Sequence, residues 1–132
     1  MSMTESTATD QVYEIMTRDV LGIVPSAPLD VALRMMVETG VHHLPVVDGD
    51  HCVGLLHESD VLWRLWSTDG RRPPPIVAVV RTPPLAVAAG DTVSAAASRM
   101  VDAATDAALV FEDGRLVGIV TATDIVRLVA AD

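Results

Sequence analysis

Leu29-Asp30-Val31-Ala32-Leu33-Arg34-Met35-Met36-Val37 and, 64 positions later, Val93-Ser94-Ala95-Ala96-Ala97-Ser98-Arg99-Met100-Val101 decide the fold. In the first stretch Leu29, Ala32, Leu33, Met36 and Val37 fall at i, i+3, i+4, i+7 and i+8, an apolar stripe along one face of a helix. Val93, Ala96, Ala97, Met100 and Val101 repeat that stripe in the second. Working outward, the same offset aligns 12–66 with 76–130 without an insertion. Only eight pairs are identical, among them Met36/Met100, Gly54/Gly118 and Asp60/Asp124, so the evidence lies in the pattern rather than in the identities.

Each helix is preceded by a short extended apolar run, 20–24 or 85–88, and followed by two more, 44–47 and 52–56 or 107–111 and 116–120. Asp48-Gly49-Asp50-His51 and Glu112-Asp113-Gly114-Arg115 supply turn chemistry, so each pair of runs reads as a hairpin. Ser59-Asp60-Val61-Leu62 and Thr123-Asp124-Ile125-Val126 then open a second helix with N-cap-type residues. The unit is β-α-β-β-α, present twice. Glycine and consecutive prolines in Thr68-Asp69-Gly70-Arg71-Arg72-Pro73-Pro74-Pro75 end the first copy. The expected organisation is a flexible tail over 1–10, a first repeat over 11–67, a linker over 68–75 and a second repeat over 76–132. One unit cannot cover its own apolar sheet face, which predicts an α/β (α+β) fold of two repeats packed about a pseudo-two-fold axis, with a ligand cleft at their seam.

Half of the 132 residues are hydrophobic, enough for one ordinary core. Apolar runs such as 76–80 fall far short of the ~20 residues of a membrane helix, so a soluble chain with no membrane span is expected. Residues 1–10 are polar and Ser/Thr-rich and resemble no targeting segment, which makes the cytoplasm the expected compartment. Nine Lys and Arg against 18 Asp and Glu, net −9, would repel a polyphosphate backbone and argue against direct nucleic-acid binding. The single cysteine, Cys52, sits in an apolar run and reads as a small buried hydrophobe. No Gly-rich phosphate loop and no nucleophile–base constellation is present, so the chain is not expected to be an enzyme.

Three further pieces resemble the CBS-domain family. They are Ile15-Met16-Thr17-Arg18-Asp19, the run Gly40-Val41-His42-His43-Leu44-Pro45-Val46-Val47-Asp48, and Gly118-Ile119-Val120-Thr121-Ala122-Thr123-Asp124, which carries a Gly-x-x-Thr/Ser-x-x-Asp pattern. In order and spacing the chain looks like a stand-alone tandem pair, a Bateman module. The resemblance implies a regulatory sensor that needs no cofactor and binds AMP, ADP, ATP or S-adenosylmethionine in the cleft between the repeats. It further implies a homodimer whose output passes to an unidentified effector protein.

Carried over residue by residue, the resemblance implies a stronger site from Thr17, Gly22, Val41, His42, Thr121, Thr123 and Asp124. Asp124 would accept hydrogen bonds from the ribose hydroxyls, since charge-assisted bonds are the stronger ones. A weaker site would combine Arg81, Ala86, Thr105 and Asp106 with His57, Ser59 and Asp60. There His57 stands where a Thr/Ser is expected, and Asp106 would cost about 1–4 kcal/mol against a phosphate at ~4 Å.

Plainer roles compete. Asp60 and Asp124 could cap helices. His42 and His43, adjacent on a strand, point to opposite faces and make a poor metal site. His57 suits a cap or surface role as well as a pH gate, and Trp63 and Trp66 read as core or dimer surface. The functional alternative is a ligand-free dimerisation or protein-interaction module, and Thr121 together with Asp124 is what such a module would not need.

Overall fold

The apolar stripes form helices where the spacing predicts them. In the computed structural model, which describes residues 10–131, the order is α1 (Val12–Ile15), α2 (Leu29–Thr39), β1 (His43–Asp48), β2 (His51–His57) and α3 (Glu58–Ser67). There follow β3 (Ala86–Ala88), α4 (Val93–Asp102), β4 (Ala107–Glu112), β5 (Arg115–Thr121) and α5 (Ala122–Ala131), with one 3-10 turn at Ile76–Ala78 after α3. Apart from Asp10, the tail expected over 1–10 lies outside the described residues.

The chain divides into two units, one from 10–20 with 85–131, the other Leu21–Pro84. These do not coincide with the sequence repeats. The leading segment of each repeat packs with the body of the other repeat. In the first unit Val12 is fully buried in a core with Val87, Ala96, Met100, Ala108, Val110 and Val120. Its amide donates to Asp91 O at 2.9 Å, and the Val93 amide donates to Asp10 O at 2.7 Å. In the second unit Ile76 is fully buried with Leu29, Ala32, Met36, Leu44, Val46, Leu56 and Val61, and its amide donates to Ala27 O at 3.1 Å.

The hairpins are antiparallel and in equivalent register, Leu44 opposite Leu56 and Ala108 opposite Val120. In the first unit β3 adds to β4 in parallel, with the Leu109 amide donating to Leu85 O at 2.9 Å. The matching run 20–24 makes a single parallel bridge, Ile23 with Val46, and no strand. Pro45 occupies the position of Leu109 and has no N–H to give, so the ladder loses the bond that would have engaged Leu21. Trp63 and Trp66 stack on each other on α3, ring centroids 5.8 Å apart, and both are exposed rather than in the core.

Candidate functional site

In the first unit the site begins with a glycine in mid-strand. A Cβ on Gly118 would stand 2.8 Å from Thr17 O, so its absence lets the segment at Thr17 lie directly against β5. Thr17 then exchanges both backbone bonds with Ile119, at 2.9 and 3.0 Å. This brings Thr17, exposed, within two residues of Thr121, where β5 hands over to α5.

Thr121 and Asp124 form a reciprocal capping box. The Asp124 amide donates to Thr121 Oγ1 at 3.3 Å, while Asp124 Oδ2 accepts from the Thr121 amide at 2.8 Å and from its hydroxyl at 3.1 Å. Oδ2 is spent on the helix start, and Oδ1 accepts no hydrogen bond among the described residues. Thr123 is exposed on the first turn of α5. The half-buried Thr105 ties down the turn before β4 through Ala107, and the neighbouring Asp106 carbonyl accepts from the Ala122 amide at 2.8 Å.

The second unit repeats the backbone and changes the chemistry. A Cβ on Gly54 would collide with Arg81 O, and Arg81 exchanges backbone bonds with Leu55 at 3.0 and 3.1 Å, as Thr17 does with Ile119. At the strand-to-helix junction stands His57, 5 % exposed, which gives α3 no side-chain cap and meets His43 edge-to-face at 4.8 Å. Asp60 therefore has no hydroxyl to answer to. It turns to Arg81 in a two-pronged pair, Nε to Oδ2 at 2.7 Å and Nη2 to Oδ1 at 3.2 Å. Both oxygens of Asp60 are occupied where Asp124 leaves one open. Ser59 is exposed.

Of the remaining expected contacts, Gly22, Val41 and His42 belong to the second unit. Val41 packs against its core, and a Cβ on Gly22 would stand 3.1 Å from a Val47 methyl. The exposed His42 ring lies 3.1 Å from Glu58 Oε1, and its carbonyl accepts from the Glu58 amide. That carboxylate partner tempers any role of His42 as a bare cation. Cys52 is half-buried, and burial pushes its thiol above the ordinary range, the opposite of an activated nucleophile. Sequence reasoning missed the Arg81–Asp60 and His42–Glu58 pairs. The one signal for the former was a charge at Arg81 where the offset places Thr17.

The CBS domain family model matches residues 12–67 and again 76–131. The chain belongs to the CBS domain family. An uncharacterized 33.4 kDa protein in the ribosomal RNA operon of Thermofilum pendens is 32 % identical over 87 % of the chain and 42 % of its own length. The chain spans less than half the length of the curated relatives it matches. Among solved structures, the CBS domain pair of protein MJ0100, in complex with 5-methylthioadenosine and S-adenosylmethionine, superposes with a TM-score of 0.85 at 22 % identity, covering 93 % of this chain and 98 % of that one. CBSX2 in complex with AMP superposes with a TM-score of 0.78 at 25 % identity, covering 92 % and 97 %. The fold is thus that of a CBS pair. No helix among the described residues is long and apolar enough to cross a membrane.

Proposed function

We propose that this CBS pair is a non-enzymatic, cytoplasmic regulatory module that senses an adenosine-type ligand: AMP, ADP, ATP or S-adenosylmethionine. The observation that carries the reading is Asp124. Its carboxylate is held rigid by the Thr121 amide and hydroxyl, yet Oδ1 remains available for a ribose hydroxyl. Thr17 and Thr123 offer exposed hydroxyls beside it. The AMP complex of CBSX2, at 25 % identity, supports the ligand class. Gly22, Val41 and His42 complete the proposed stronger set, while Thr105, His57, Ser59 and Asp60 make up the weaker one, in which Arg81 pairs with Asp60 instead of facing a ligand. Binding would act by linkage, shifting the populations of packing states by the ligand's differential affinity, typically about 1–3 kcal/mol.

Calorimetric titration with each of the four ligands tests the reading. One of them should bind the wild type. Asp124→Asn keeps an oxygen for the Thr121 amide but removes the charge, and should weaken binding by about tenfold to hundredfold, the worth of a charge-assisted hydrogen bond. The ligand-free melting temperature should barely move. Failure of all four ligands to bind, or unchanged binding by Asp124→Asn, overturns the reading. The alternative, a ligand-free dimerisation or interaction module, is favoured by the exposed Trp63–Trp66 stack on α3, and is what a titration without binding would leave.

A further inference from the structure

The two aspartates are related by the 64-residue offset, but only one has a guanidinium folded onto it. We propose that Arg81 is a built-in plug, which occupies by side chain the place on Asp60 that a ligand's ribose takes on Asp124. The inference rests on the ribose reading of Asp124 and extends it to why the repeats are unequal.

The geometry follows from the repeat. Arg81 is clamped by its backbone to Leu55, five residues before Asp60, just as Thr17 is clamped to Ile119, five residues before Asp124. A side chain leaving position 17 or 81 therefore starts from an equivalent point relative to its aspartate. Threonine is too short to cross to the carboxylate. Arginine reaches it and closes a fork over both oxygens, at 2.7 and 3.2 Å. No hydroxyl stands at 57 to hold Asp60 as Thr121 holds Asp124, and Asp60 is turned to that fork instead. A diol in solution must then displace a charge-assisted, two-bond contact from a group held permanently beside it, and tethering gives that group a high effective concentration. The pair is part-exposed, 48 % for Arg81 and 31 % for Asp60, so it is a plug that substitution can lift rather than a buried strut.

The test titrates AMP, ADP, ATP and S-adenosylmethionine in turn and counts molecules bound per chain by calorimetry in wild type, Arg81→Thr, and Thr17→Arg; the counts below are for AMP and hold alike for whichever of the four binds. The backbone bonds at both positions do not depend on the side chain, and Arg81→Gln serves as a second unplugged variant should threonine pack poorly. The expected result is one AMP per wild-type chain, two for Arg81→Thr with the first affinity unchanged, and none for Thr17→Arg. One AMP in wild type and still one in both Arg81 variants overturns the plug while leaving the Asp124 reading intact. Two AMP in wild type also overturns it. Binding by Arg81→Thr but not by wild type places the opened site at Asp60 and overturns the Asp124 reading and the equivalence drawn from it, and no binding of any of the four ligands by any variant overturns both.

Discussion

Gly40, which caps α2, and Ala104, one residue past the cap of α4, stand at the same offset and both have positive φ, 75° and 53°. Nothing lies within 4 Å of where a Cβ on Gly40 would stand, so glycine serves there for its backbone alone. Alanine bears the left-handed cost at the matching turn. Ala104→Gly should therefore stabilise the protein by about 0.5–1 kcal/mol, net of the entropy glycine adds to the unfolded chain. A rise of the melting temperature by a few degrees in calorimetry checks it, and a fall would show that the turn is not strained. At this scale the sequence was half legible. The Thr-x-x-Asp spacing offered capping and ligand binding as rivals, and Asp124 turns out to cap with one oxygen only. The partner of Asp60 was hidden, because Arg81 lies 21 residues away and no local pattern joins them.

Helices and hairpins were legible because their cause is local: a stripe at helical spacing, a Gly-bearing turn between two apolar runs. The turns differ as their glycines do. Asp113 and Gly114 both have positive φ, at 52° and 75°, as a type I′ turn requires, whereas only Gly49 does in the Gly49-Asp50 turn. The run 20–24 was less legible, since whether it becomes a strand depends on Pro45, more than 20 residues away. Helix starts differ too. Thr92 accepts the Ala95 amide at 3.1 Å at the head of α4, while its counterpart Pro28 caps α2 with no side-chain bond. Thr92→Ala should cost about 1 kcal/mol in denaturant unfolding. Loss of less than a few tenths would mean that solvent caps the helix equally well.

At the scale of the molecule, the gapless offset exposed two repeats but not how they share segments. Periodicity records which face of a helix turns inward, though Val37 and Val101 at the ends of the two stripes are exposed, and not against which copy it packs. Val12 belongs by sequence to the first repeat and by packing to the core of the unit that holds most of the second. Val12→Ala should cost about 1–3 kcal/mol, and native-state hydrogen exchange should show the loss in 85–131 before it reaches 21–84. The reverse order would place residue 12 with its own repeat.

The exchange of leading segments has a consequence for how the chain can be cut. Neither repeat, excised at its own boundaries, carries the residues that fill its core: 11–67 lacks Ile76, and 76–132 lacks Val12. The natural seams lie instead at 20/21 and 84/85. A circular permutant opening at Leu21, its old ends joined by a flexible linker, would run through one unit and then the other without crossing back. It would make contiguous the one unit that the native chain assembles from two separate segments, 10–20 and 85–131.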